Sequence, residues 1–212
     1  MIYVWCILIG YLIGCINPAY LISKIKKIDI RKKGSGNLGA TNTSLIVGKK
    51  WGALVMAFDI FKAYATVKLC QYLFAQTLLA GVVAGSATIL GHNHPFYLKF
   101  KGGKGLAAFG GCVLALNPLH FLALLIIGIA LSLILDYGIG IPLSASILFP
   151  TVTAIQYYRM TDGNLGIALL TVLIILPPML SVLLRHRSNW QRIKAGTELR
   201  IRDYFKGKSY EE

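Results

Sequence analysis

The residues best suited to chemistry lie in three short polar stretches of an otherwise apolar chain. The first, residues 34–42, reads Gly-Ser-Gly-Asn-Leu-Gly-Ala-Thr-Asn. Gly34, Gly36 and Gly39 let the backbone take positive φ and bring N–H groups close to a ligand. Successive N–H groups turned into one concavity make an anion nest. Ser35, Asn37, Thr41 and Asn42 add side-chain donors. Phosphate is the guest this pattern suits, although the same glycines also suit a plain turn between membrane segments.

The second stretch, residues 91–105, reads Gly-His-Asn-His-Pro-Phe-Tyr-Leu-Lys-Phe-Lys-Gly-Gly-Lys-Gly. Lys101, Gly102, Gly103, Lys104 and Gly105 together have the makings of a phosphate cradle, with ammonium groups beside backbone N–H groups. They are not a nucleotide-binding P-loop, because Gly105 stands where a Ser or Thr would hold magnesium. His92 and His94 form a His-x-His pair, but no carboxylate or thiol adjoins them and no metal is expected. The third stretch, residues 185–198, carries Arg185 and Arg187, whose guanidinium groups match phosphate geometry. His186 and Asn189, three apart, share a helix face and can orient a phosphate or a hydroxyl. Glu198, the carboxylate of this stretch, reads as a structural partner for the tail in preference to a general base. No Ser-His-Asp triad and no cofactor motif is visible.

The elements that must position these residues are membrane helices. The chain has 212 residues, 56% of them hydrophobic and 14% charged. It is too apolar for a soluble globular domain and too poor in charge for a disordered one. Apolar segments run over residues 2–23, 52–74, 77–90, 106–116, 119–135, 141–158 and 166–184. The third and fourth fall short of the roughly 17 residues usual for a span. Pro118 and Pro142 mark helix starts, and Asp136 marks a helix end. Asp59 and Lys62, three apart inside the second segment, suit a structural ion pair. The four cysteines read as small packing residues.

Net charge is +14, and it is clustered: eight basic residues in 24–50, three in 99–104 and eight in 185–208. Lying between apolar segments, these clusters mark cytoplasmic loops instead of a nucleic-acid footprint, and they attract anionic headgroups. The first segment has no basic region before it, so it reads as a span and not as a cleaved leader. The expected fold is an all-α polytopic membrane protein of about seven transmembrane helices, one domain over residues 1–212. Its N-terminus is expected outside, its C-terminus in the cytoplasm, and all three polar stretches on one face. The tail after Leu184 is expected to lie on that face as an amphipathic helix, with residues 209–212 frayed. A substrate joining phosphate to an acyl chain follows from polar loops at the edge of hydrocarbon.

These residues resemble the PlsY family, the bacterial acyl-phosphate:glycerol-3-phosphate acyltransferases, over nearly the whole chain. The resemblance rests on Ile28-Asp29-Ile30-Arg31 leading into residues 34–42, on Gly48-Lys49-Lys50, and on Asp59 with Lys62. It continues through Gly91-His92, Pro95 and residues 100–105, and through Arg185-His186-Arg187 with Asn189, Gly196, Thr197 and Glu198. It implies transfer of a fatty acyl group from acyl phosphate to the 1-hydroxyl of glycerol 3-phosphate, as the first acylation of phospholipid synthesis. It implies an inner-membrane enzyme with its site on the cytoplasmic face, acting without cofactor or nucleic acid and as a monomer. By position, Ser35, Lys104, His186 and Asn189 are the expected catalytic residues. Gly34, Gly36, Asn37, Gly39, Thr41, Asn42, His92, Lys101, Gly102, Gly103, Gly105 and Arg185 are expected to bind substrate or phosphate. Glu198, Asp59 and Lys62 are expected to be structural. Leu45 stands where the family usually has Arg, and Ala108 where it usually has Thr. A weakly active or inactive relative that binds phosphate or anionic lipid, or a transporter of a phosphorylated solute, are the other readings.

Overall fold

Each of the seven apolar segments becomes helix in the computed structural model, which describes residues 1–206. The expected fraying of residues 209–212 lies outside the described residues. Helices α1 (Ile2–Cys15), α2 (Pro18–Ile25), α3 (Ala40–Ile46) and α4 (Lys49–Leu73) precede α5 (Ala80–Asn93), α6 (Leu106–Leu116) and α7 (Pro118–Leu135). Helices α8 (Gly140–Met160), α9 (Leu165–Arg185), α10 (Arg187–Lys194) and α11 (Ile201–Phe205) complete the chain. Among the described residues there is no strand. Three stretches are long and apolar enough to cross a membrane: Ile2–Ile25, Pro118–Leu135 and Leu165–Lys194.

Local chemistry explains the boundaries. Asn17, Asn117 and Asn164 each accept N–H groups from the first turn of α2, α7 and α9, satisfying donors that a helix start leaves open. Pro18 and Pro118 occupy first-turn positions, where a missing N–H costs little. Asp136 ends α7 in the left-handed region at φ 58°.

Two expectations are corrected. The first apolar segment is not one helix, because it breaks at Ile16 and Asn17, both extended. A residue before proline is pushed out of the helical region. Pro18 has no N–H for the Gly14 carbonyl, and the Tyr20 N–H goes to Asn17 Oδ1 at 2.8 Å instead of to Ile16. Lys62 Nζ takes both stranded carbonyls, at 3.2 Å from Gly14 O and 2.5 Å from Ile16 O. The tail is likewise two short helices in place of one, divided at Gly196, whose φ is 70°.

Helix α5 is the axis of the bundle and packs against α1, α4, α6 and α9. Its first nine residues, 80–88, are Gly, Ala, Val, Ser and Thr only, and the helix is buried almost throughout. Small residues allow close approach of helices where lipid supplies no hydrophobic drive. The outer faces of α1, α7 and α9 carry exposed Leu and Ile, as a lipid-facing surface requires.

Candidate functional site

Two helix N-termini meet at one cavity of ≈ 300 Å³. They belong to α3 and α6, whose N-cap residues Gly39 and Gly105 line it. Neither has a side-chain cap. An uncapped start is not distinctive alone, since α4, α5 and α8 share it. The convergence is distinctive, because each open end presents N–H groups and positive potential suited to an anion. His186, where α9 passes into α10, lines the same cavity.

Lys104 supplies the formal charge at this end. Its ammonium donates to Asn189 Oδ1. Asn189 Nδ2 in turn donates to Glu198 Oε1 at 2.7 Å, and Arg192 Nε reaches Glu198 Oε2 at 2.6 Å. This chain fixes Lys104 from behind while the side chain lines the cavity. Burial, together with the nearby Arg192 and Arg185 charges, pushes Lys104 down to about 8, against the opposing pull of the Glu198 carboxylate.

His186 is buried, and its Nδ1 lies 2.8 Å from Val182 O. A carbonyl only accepts, so Nδ1 carries the proton and Nε2 keeps its lone pair. On the cavity floor lie Asp59 and His92. Asp59 pairs with Lys62 at 2.7 Å and lies 3.3 Å from His92 Nδ1. The expected Asp59–Lys62 pair is therefore present and extends to a third residue.

From the polar end the cavity continues as an apolar arm along α6. Its walls are Met56 and Ile60 of α4, Phe109, Gly110 and Val113 of α6, Phe121, Leu124 and Leu125 of α7, and Ala145 of α8. The arm follows α6 from Gly105 to Val113, about 12 Å at 1.5 Å per residue. Sequence reasoning did not single out these residues, since apolar side chains facing a cavity and facing lipid look alike. The Gly110-Gly111 pair inside an apolar helix was the available signal.

The three polar stretches are used unequally. Asn37, Gly39 and Thr41 line the cavity with His92, Lys104, Gly105 and His186. Ser35 does not; its N–H donates to Asn42 Oδ1 at 2.9 Å. Asn42 is buried and donates to Ile30 O at 2.9 Å and Lys33 O at 3.2 Å, so its amide folds the loop and has no hydrogen left for a ligand. Gly34 and Gly36 do adopt positive φ, 54° and 68°, but the Gly36 N–H closes a turn onto Lys33 O. Gly102 and Gly103 do not cradle an anion with their backbone, since they donate to Asn93 O and His92 O, each at 3.1 Å. Their lack of side chains serves packing: a Cβ would lie 2.1 Å from His92 O at Gly102 and 2.1 Å from His92 Nε2 at Gly103. Arg185 likewise turns to backbone, donating to Asn93 O and to Phe100 O at 3.0 Å. Lys101 is exposed outside the cavity.

The glycerol-3-phosphate acyltransferase family model matches residues 4–196. Glycerol-3-phosphate acyltransferase of Thermoanaerobacter pseudethanolicus is 39% identical over 195 residues, covering 92% of this chain and 93% of the relative. That of Staphylococcus haemolyticus is 37% identical, covering 95% and 99%. Among solved structures, PlsY, an integral membrane glycerol 3-phosphate acyltransferase, superposes in its glycerol 3-phosphate form with a TM-score of 0.75 at 29% identity. That match covers 93% of this chain and 94% of PlsY.

Proposed function

The chain belongs to the glycerol-3-phosphate acyltransferase family, and from that premise we propose that it acylates the 1-hydroxyl of glycerol 3-phosphate with acyl phosphate as donor. The observation that carries this reading is a single cavity with an anion-binding end and an apolar arm. Each half of an acyl phosphate has a matching surface there. Lys104 and the open N–H groups of α3 and α6 hold phosphate oxygens at the polar end, while the alkyl chain lies along α6.

The hydroxyl oxygen of glycerol 3-phosphate attacks the acyl carbon and forms the new ester bond. The bond between that carbon and the bridging phosphate oxygen breaks, and phosphate leaves with the electron pair. The hydroxyl proton passes to a phosphate oxygen. The His186 Nε2 lone pair accepts a hydrogen bond from the neighbouring 2-hydroxyl and so orients the glycerol backbone. Phosphate is already a good leaving group, so positioning and charge stabilisation supply most of the barrier reduction. Asn189 and Glu198 act through Lys104. Ser35 is outside the cavity lining, and in this reading its hydroxyl contacts the phosphate only in the substrate complex.

In this reading the chain is one domain with seven spans, its N-terminus outside and its site at the cytoplasmic face of the bacterial plasma membrane, and it works as a monomer. The three basic clusters on one side support that orientation. Purified protein given palmitoyl phosphate and labelled glycerol 3-phosphate is expected to yield 1-acylglycerol 3-phosphate and phosphate; absence of the ester would overturn the reading. Labelling of a single cysteine placed at Lys101 is expected only from the cytoplasmic side. Leu45 favours one rival, a binding protein with little turnover. It is half-buried in α3 and does not line the cavity. A large gain of activity in Leu45→Arg would support that rival.

A further inference from the structure

Glycine inside a transmembrane-length helix bundle usually has a packing reason, and Gly111 shows it. A Cβ at Gly111 would lie 2.1 Å from Ile60 O, so its absence lets α6 rest directly on the backbone of α4. Gly110, one residue earlier, has no such reason. Its φ is not positive, and a Cβ there would meet a single atom, Phe121 Cε2, at an ordinary 3.5 Å. Apart from Gly166 in the first turn of α9, the other glycines within the described helices would all bring a Cβ to 3.1 Å or less of a neighbour. A helix-interior glycine is costly relative to alanine, and neither packing nor backbone geometry accounts for this one.

What Gly110 does is line the cavity. It sits about 7.5 Å along α6 from Gly105 at 1.5 Å per residue, midway down the apolar arm. Facing it is Phe121 of α7, with Leu124 and Leu125 beside it and Val113 one turn deeper. A methyl group at 110 would narrow the arm against Phe121, and any larger side chain would divide the polar end from the deep half at Val113.

We propose that Gly110 sets the length of acyl chain this protein accepts, by leaving open the passage past Phe121 into the deep half of the arm. This rests on the acyl-phosphate reading given above. Short chains fill only the stretch between Gly105 and Gly110 and are indifferent to bulk at 110. Long chains must pass it. Each methylene displaced from the arm loses roughly fourfold in binding, so the effect grows steeply with chain length.

The test compares kcat/KM for palmitoyl phosphate and octanoyl phosphate in wild type, Gly110→Ala and Gly110→Val. Wild type is expected to favour the longer donor. Gly110→Val is expected to lose about fifteenfold or more with palmitoyl phosphate, the equivalent of two displaced methylenes, while octanoyl phosphate changes less than about threefold. Gly110→Ala, whose methyl group fits at 3.5 Å from Phe121, is expected to fold as wild type and to shift the ratio in the same direction by less. It decides the matter should the valine variant fail to fold. Equal losses with both donors, or an unchanged ratio in the alanine variant, would overturn the role of Gly110 while leaving the acyltransferase reading intact. Wild type that makes no ester from either donor would overturn that reading and this inference with it.

Discussion

Residues 34–42 and residues 101–105 look interchangeable as sequence, each a run of glycines beside basic residues, yet the fold uses them in opposite ways. In the first, the glycines bend a loop so that the start of α3 is left open toward the cavity, and the polar side chain of Asn42 holds the bend. In the second, the Gly102 and Gly103 N–H groups are already bonded to the end of α5, and what faces the cavity is the Lys104 side chain and the start of α6 at Gly105. A glycine frees an N–H only where no carbonyl lies within reach. In residues 102–103 two carbonyls do, because the loop folds back on His92 and Asn93.

That contrast is most sharply broken at Gly103. Gly103→Ala pushes a Cβ to 2.1 Å from His92 Nε2 and 2.9 Å from Leu38 O. Overpacking of this kind, with backbone as one neighbour, is expected to cost about 3 kcal/mol or more. Thermal unfolding in detergent checks it, and a wild-type melting temperature would show that the second loop is not a close-packed bearing. Lys104→Met is expected to do the reverse, lowering kcat/KM by about 10²–10³, the usual cost of one donor aimed at developing charge, while the melting temperature holds.

The charge of Lys104 also gives a pH signature. A lysine at about 8 is cationic below that pH and neutral above it, so kcat/KM is expected to fall on the alkaline side with a midpoint near pH 8. Lys104→Arg keeps the charge and should carry the limb out of range. Glu198→Gln removes the carboxylate that holds the lysine up and should move the limb to lower pH. Bound phosphate stabilises the ammonium, so the limb in kcat is expected above that in kcat/KM. An alkaline limb that stays in place in Lys104→Arg would assign it to another group. The smallest effect belongs to the first loop. Gly36→Ala, at φ 68° and with a Cβ 3.0 Å from Arg31 O, is expected to cost about 1–2 kcal/mol and to leave a folded enzyme.

Hydropathy made the helical segments legible, because a run of apolar residues in lipid has little choice but helix. The helix start at Pro118 and the helix end at Asp136 followed from residue type alone. The break at Ile16 and Asn17 was written in Asn17-Pro18 but was masked by the apolar residues on both sides. Helix α3 inside the first motif was hidden by its own polarity. At the site, Lys104 and His186 were legible as chemistry, and both line the cavity. The role of Arg185 was not: guanidinium suits phosphate and backbone carbonyls equally, and only the fold shows that Asn93 O and Phe100 O lie within its reach. The apolar arm was illegible for a different reason, since its walls differ from lipid-facing residues only in what lies opposite them.

The bend in the N-terminal segment carries a lesson about assembly. Its two stranded carbonyls, on Gly14 and Ile16, receive their hydrogens from a lysine 48 and 46 residues further along the chain. The bend stays incomplete until α4 packs alongside, and the ammonium, paired with Asp59 inside α4, has hydrogens to spare for the bend. The bend and α4 therefore complete each other: neither the α1–α2 break nor the Lys62 side chain is fully satisfied unless the two segments are packed together.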